Sequence, residues 1–239
     1  MSARLFLFLI FKWIMIKNNI ILPEQTTDGS TTLYLPEIDE HYHSIKGALT
    51  EAMHVYIDLA FRHSLSKKQL PEGQQLRVFE VGFGTGLNAL LTLKAAHEAN
   101  VNVHYTAIEL YPLPEDLIEK LNYGDSDLFE KLHHASWNES QALTSNFELN
   151  KLHADLLKAK IPPADVVYFD AFAPEKQPEL WTIDIFQKIY DAMSPCGVLT
   201  TYCAKGAVRR ALQQVGFFVE RMQGPVNGKR EVLRATKMI

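Results

Sequence analysis

The sequence predicts an α/β fold built on a doubly wound sheet, and three observations carry that prediction. A buried apolar strand, Leu76 to Val81, runs into a glycine-rich turn that opens onto a helix of about residues 87–100. A second apolar strand, Asp165 to Asp170, ends in a carboxylate. Strand-like and helix-like stretches then alternate along the chain, the pattern of right-handed β-α-β crossovers.

Taken in order, the elements fill in that frame. The 239 residues are 47% hydrophobic and 22% charged, which suits one globular domain with a substantial core and a small extension. Residues 1–14 are expected to be a non-structural extension. Arg4 and the apolar run after it resemble the start of a signal peptide, but no small-residue cleavage site follows. The run is also far shorter than the roughly 20 residues of a membrane span, so no membrane role is expected and Met15 is read as the natural beginning. Residues 15–75 are expected to form a hairpin and a helix packed on the core. Asp28-Gly29 between apolar stretches marks the hairpin, and Ile45, Leu49, Met53, Ile57, Phe61 and Leu65 fall at helical spacing. Pro71-Glu72-Gly73 breaks the chain before the core, residues 76–239.

Within the core a strand is expected at 103–110 and a helix start at 112–121. Residues 122–150 show no clear period, and Trp137, Phe147 and Leu149 suggest a short hairpin or irregular insertion. A helix at 181–193, a strand at 197–202, a helix at 205–215 and strands at 217–222 and 230–236 complete the pattern.

Ligands of such sheets bind at the carboxyl ends of the strands, where the strand order switches. The loop Gly82-Phe83-Gly84-Thr85-Gly86-Leu87-Asn88 lies at such an end. It reads G-x-G-x-G, because Leu87 stands where dinucleotide binders carry a third glycine. That spacing points to S-adenosyl-L-methionine, and so to a Rossmann-like S-adenosylmethionine-dependent methyltransferase fold with the hairpin and helix as its N-terminal extension. Glycines let backbone approach a ligand, and the helix start offers free N–H groups to a carboxylate. Phe83, Thr85 and Asn88 belong to the same cofactor set. Glu80 is placed to take the cofactor's ammonium, and Glu109, ending the second strand, its ribose hydroxyls. Asp155 is read as lying just before the next core strand, where it could meet the adenine amino group; helix capping explains it equally well.

Asp170 is the expected catalytic residue. At a strand end it would face both the sulfonium and an amine nucleophile, orienting the amine and accepting its proton. His41 and His43 share one face of a strand, but no third ligand stands at convincing spacing, so no metal is expected. Cys196 and Cys203 lack C-x-x-C spacing and read as reduced, buried thiols of a cytoplasmic protein. Charge is uneven: residues 201–239 hold eight Lys or Arg against two Glu, a local +6 in a chain of net −4, leaving −10 elsewhere. A localised patch for a polyanion and a face balanced by nearby acids are both compatible with this.

Together these residues resemble one family. Asp28-Gly29-Ser30 with Thr32, and His41-Tyr42-His43-Ser44 with Gly47-Ala48 and Glu51, match its start. The glycine loop matches, as do Asp170-Ala171-Phe172-Ala173-Pro174 with Lys176, Pro178, Trp181 and Thr182. Arg209-Arg210-Ala211-Leu212, Gly216-Phe217 and Gly228-Lys229-Arg230-Glu231 match its tail. The family is the methyltransferase part of the bacterial 5-aminomethyl-2-thiouridine tRNA methyltransferases, and the likeness covers about residues 26–236. It implies transfer of a methyl group from S-adenosylmethionine to the exocyclic amine of 5-aminomethyl-(2-thio)uridine at the tRNA wobble position. It also implies the cofactor role of Gly82, Gly84, Gly86, Glu109 and Asp155, and places Asp170 beside the reacting amine. Many members carry a flavin-dependent oxidase downstream. This chain resembles the stand-alone form, so a separate enzyme, flavin-dependent or other, is expected to supply the aminomethyl substrate. The anticodon loop is the implied partner. Arg209, Arg210, Lys229, Arg230 and Lys176 are candidate tRNA contacts; Tyr42, His43, Ser44, Phe172 and Trp181 are candidates around the uridine. An amine or polyamine transferase on the same fold and a non-catalytic RNA-binding module are the alternatives; a nicotinamide oxidoreductase is disfavoured by Leu87.

Overall fold

The structure, a computed structural model, describes residues 21–67 and 74–238. The expectations for residues 1–14, Met15 and Pro71-Glu72-Gly73 lie outside the described residues. The N-terminal segment is a three-stranded antiparallel sheet of β1 (Leu22–Gln25), β2 (Thr31–Leu35) and β3 (Glu40–His41). The Asp28-Gly29 turn joins β1 to β2. Its Asp28 carboxylate accepts from Thr26 Oγ1, Ser30 Oγ and the Thr50 backbone N–H, which ties the turn to the helix that follows.

That helix, α1, covers 48–67. It is α-helical at Ala48–Ala52, π-helical at Met53–Arg62 and α-helical again at His63–Lys67. Its inner face runs Ala48, Ala52, Val55, Tyr56, Ile57, Ala60 and Phe61. Of the expected stripe, Ile57 and Phe61 are buried, while Leu49, Met53 and Leu65 stay only partly buried and Ile45 is 40% exposed. Two causes displace it: the i→i+5 coil re-aims the side chains, and small or polar residues occupy inner positions that a hydrophobic count passes over.

The main sheet has eight strands: β4 (Gln75–Val81), β5 (Asn102–Glu109), β6 (Ser140–Thr144), β7 (Phe147–His153), β8 (Ala164–Phe169), β9 (Met193–Thr201), β10 (Phe217–Gln223) and β11 (Glu231–Lys237). Their spatial order is β10-β11-β9-β8-β4-β5-β7-β6. The five inner strands β9, β8, β4, β5 and β7 run parallel; β6, β11 and β10 are antiparallel to their neighbours. Helices α2 (Leu87–Ala99), α3 (Glu115–Ile118), α4 (Ser126–His134), α5 (Ile183–Ala192) and α6 (Gly206–Gln214) connect them. All six residues of β8 are buried, and alternate ones serve opposite faces. Val166 and Tyr168 join α1, α2 and α4; Val167 and Phe169 join α5 and α6. Burial on both faces is why the inner strands read as unbroken apolar runs.

Four expectations change here. The short hairpin suggested within residues 122–150 is present as the antiparallel pair β6–β7, but the segment is not an irregular insertion: α4 precedes the hairpin, and β7 is a full strand of the main sheet. Asp155 therefore follows β7 and does not immediately precede β8. The expected helix at 112–121 shrinks to the single turn Glu115–Ile118. Cys203 is buried as expected, but Cys196 is exposed, near the start of β9 with φ +61°.

Candidate active site

The chain leaves β4 toward β5 and β7 on one side and returns to β8 on the other. The switch point thus lies between β4 and β8, and the glycine loop and Asp170 sit side by side at their carboxyl ends. Gly82 has φ +88°, and a Cβ there would stand 3.0 Å from the Asp170 carbonyl oxygen. Gly84, at φ +50°, has the Tyr42 ring 3.1 Å from a would-be Cβ. Both positions need glycine because a side chain would be strained and would push apart the two loops that form the site.

The loop is clamped from both sides. His43 Nε2 lies 2.6 Å from Thr85 Oγ1, and His133 Nε2 lies 3.1 Å from the Thr85 carbonyl oxygen. Burial lowers each imidazole pKa to about 4, so both are neutral at pH 7. His41 turns elsewhere, to Glu24 at 3.1 Å, so the two histidines do not share a ligand. Glu109 accepts from the backbone N–H groups of Gly84 (3.1 Å) and Tyr111 (2.9 Å).

A cavity of about 630 Å³ opens over these strand ends. Tyr42, His43, Ser44, Phe83, Thr85, Asn88, Glu109, Asp155, Asp170, Phe172, Lys176 and Lys229 line it, together with Gly82 and Gly84. Its shape and donors suit S-adenosylmethionine. The Gly82–Gly84 backbone forms a cradle that Cβ atoms would fill, and two acids stand at the ends of successive strands, Glu109 after β5 and Asp155 after β7. Asp155 also accepts from Leu157 N at 3.0 Å, but it caps a turn and not a helix, since no helix lies between β7 and β8. Gly82, Gly84, Glu109 and Asp155 would hold the cofactor, which when bound supplies an electrophilic methyl group on a cationic sulfur.

Asp170 is the centre of a hydrogen-bond network. Tyr56 Oη donates to Oδ1 at 2.6 Å, and Asn88 Nδ2 donates to Oδ2 at 2.8 Å. Asn88 Nδ2 also reaches Glu80 Oε1 at 2.9 Å. Burial pushes the Asp170 pKa up to about 6, against the pull of these two donors.

Several expected residues fall elsewhere. Glu80 is buried behind Asn88 and does not line the cavity; burial holds its carboxyl well above the usual range. Gly86 also stays off the cavity wall, capping α2 at φ +74°. Trp181 packs against Phe169 and Phe186 in the core, and its Nε1 donates to the Phe172 carbonyl at 2.7 Å, so it braces a wall residue without being one. Phe172 and Tyr42 do form a wall, edge to face at 5.1 Å. Arg209, Arg210 and Arg230 lie outside the cavity, while Lys229 and Lys176 line it.

Part of the basic tail is balanced by nearby groups. Arg221 pairs with Glu231, Arg234 with Glu220 and Lys205 with Glu175, and Lys237 donates to two carbonyls. No ion pair among the described residues engages Arg209, Arg210 or Arg230. Sequence reasoning missed Tyr56 and Tyr202. The available signal for Tyr56 was a tyrosine on the inner stripe of a helix, where a hydroxyl needs a partner.

A central, mostly parallel sheet with this strand-end cradle is the fold of S-adenosyl-L-methionine-dependent methyltransferases. Residues 128–238 match the family model described as S-adenosyl-L-methionine-dependent methyltransferase. Over 233 residues the chain is 31% identical to the tRNA 5-methylaminomethyl-2-thiouridine biosynthesis bifunctional protein MnmC of Cupriavidus metallidurans, covering 88% of this chain and 33% of that protein. The MnmC of Idiomarina loihiensis is 29% identical over 231 residues, 88% of this chain and 37% of that one. The chain thus spans about a third of the length of these relatives. The crystal structure of MNMC2 from Aquifex aeolicus matches with a TM-score of 0.71 at 25% identity, over 98% of this chain and 77% of that one. Over most of its length the chain is homologous to the methyltransferase part of the MnmC proteins. Spermidine synthase from Thermotoga maritima, at 18% identity and a TM-score of 0.52 over 93% of this chain and 74% of that one, shares the fold alone.

Among the described residues no helix is long and apolar enough to cross a membrane, and no group of three His, Cys, Asp or Glu could hold a metal ion.

Proposed function

We propose that this chain methylates the exocyclic amine of 5-aminomethyl-(2-thio)uridine at the wobble position of tRNA, acting in the cytoplasm. The observation that carries the reading is Asp170: a cavity carboxylate, held by Tyr56 and Asn88 beside the glycine cradle, with its pKa raised to about 6.

The aminomethyl group arrives as its ammonium, gives one proton to solvent and attacks as the neutral amine. Bound S-adenosylmethionine would supply the methyl group to the nitrogen and keep the carbon–sulfur bonding pair on sulfur, after which the methylated nitrogen would shed a proton. Asp170, ionised above pH 6, orients the amine and takes up that proton directly or through water. Tyr56 and Asn88 hold the carboxylate in line, and this placement is the main protein contribution. Tyr42 and Phe172 offer an aromatic wall for a wobble base splayed from the single-stranded anticodon loop. Arg209, Arg210, Arg230 and Lys176 are left for phosphate contacts, which makes binding salt-dependent.

The test is methyl transfer from labelled S-adenosylmethionine to tRNA bearing the 5-aminomethyl group, with nucleosides resolved by mass spectrometry. Conversion of the aminomethyl to the methylaminomethyl nucleoside is expected. Transfer to free polyamines with none to tRNA would overturn the reading in favour of a small-molecule amine transferase.

A further inference from the structure

The cavity contains a buried carboxylate that the reaction above does not use. Glu51, from the first turn of α1, is only 9% exposed and lines the cavity. Its Oε2 accepts no hydrogen bond. Its nearest counter-charge is Lys229 Nζ, at 3.7 Å. The same ammonium lies 3.7 Å from the centroid of the Tyr202 ring, a cation–π arrangement. Tyr202 is locked in place because its hydroxyl donates to the Ala171 carbonyl at 2.9 Å, one residue after Asp170. The charges of Glu51 and Lys229 both act on Asp170, the first raising its pKa and the second lowering it, so these groups share one corner.

We propose that Glu51 and the face of Tyr202 form the subsite that receives the acceptor's primary ammonium next to Asp170, and that Lys229 fills this subsite until the acceptor displaces it. This deepens the function proposed above and rests on it. The chemical warrant is identity of groups. Lysine ends in CH₂–NH₃⁺, and so does a protonated aminomethyl substituent. A corner that holds one through a carboxylate and an aromatic face holds the other by the same forces. Lys229 sits in the loop between β10 and β11 with its side chain 45% exposed, so it can leave without disturbing the core. The exchange swaps one positive charge for another and leaves neither Glu51 nor Asp170 unpaired in a dry site. The displaced lysine is then free to meet phosphate.

Two variants and one titration test this. Glu51→Gln keeps the shape and removes the charge. Its KM for free 5-aminomethyluridine is expected to rise roughly 10- to 100-fold, with kcat, S-adenosylmethionine affinity and melting temperature changing far less. A purely structural Glu51 would lower the melting temperature and leave KM alone, which overturns the proposal. Lys229→Met empties the subsite. KM for the free nucleoside, which carries no phosphate, is expected to fall several-fold; an unchanged or raised value would show that Lys229 is no occupant. Calorimetry with benzylamine reads the subsite without catalysis: binding to the wild-type protein, lost in Glu51→Gln and absent for benzyl alcohol, supports it, and equal binding to both proteins overturns it. A wild-type protein that methylates neither nucleoside nor tRNA fails the functional proposal, and the benzylamine titration then decides the subsite by itself.

Discussion

Strand β8 carries a carboxylate near each end, Asp165 at the amino end and Asp170 just past the carboxyl end, and the two are partnered in opposite ways. Asp165 is 4% exposed and held by a cation: Arg77 Nε and Nη2 donate at 2.9 and 3.1 Å, and the Arg77 backbone N–H adds a third bond. Arg77 Nη2 also reaches Ser194 Oγ at 2.7 Å, tying β4, β8 and β9 together. Asp170 receives only neutral donors, a phenol and an amide, and faces a cavity. A carboxylate matched by guanidinium has its charge settled inside the protein and serves the sheet. One matched by dipoles keeps charge to offer and an elevated pKa, and it serves a ligand.

The sharpest way to break this contrast is to neutralise each acid in turn. Asp170→Asn is expected to lower turnover by roughly 10²- to 10⁴-fold, with cofactor affinity and thermal midpoint little changed. Near-normal methyl transfer by that variant would remove Asp170 from the chemistry. Asp165→Asn is expected to do the reverse, costing about 2 kcal/mol in denaturant unfolding, less than for a fully buried pair because the Arg77 side chain is 40% exposed. Its turnover per folded molecule should match the parent; a loss as deep as that of Asp170→Asn would mean the two ends are not separable.

The smallest change refines the comparison. Turnover of the parent protein is expected to fall as pH drops through about 6, where Asp170 takes up its proton. Tyr56→Phe removes a donor that favours the charged form, so the pKa must rise and the acidic limb must move to higher pH. A pH profile of kcat checks the sign: a limb that stays put, or moves down, would show that the phenol does not tune the carboxylate.

What could be read in advance divides along similar lines. The glycine loop, Glu109 and Asp170 were legible because each stands at the end of an apolar run with period and boundary intact. Phe147 and Leu149 marked a short hairpin, but the full extent of β7 in the main sheet was not legible, and the reason is Lys151. It occupies an inward position of the strand and is 1% exposed, which breaks the alternation begun by Phe147 and Leu149. Its ammonium donates to the carbonyls of Leu132 and His133 at the end of α4 and lies near the Phe83 and Trp137 rings. A cation at a helix C-terminus is favourable, but nothing local in the sequence announces that the helix end will be there. Missing β7 is also what displaced Asp155 by one strand.

The sequence by itself determined the alternation of strands and helices, the strand-end cradle and the identity of the central acid. These depend on near neighbours, on hydrophobic period and on the steric freedom of glycine. Only the tertiary structure decided what surrounds that acid. Tyr56 lies 114 positions away from Asp170, and Lys229 and Glu51 meet across the whole length of the core. Contacts of that separation leave no periodic trace, because they are set by which strand lies beside which and by the turn of a π-helical segment, not by residues next to each other in the chain.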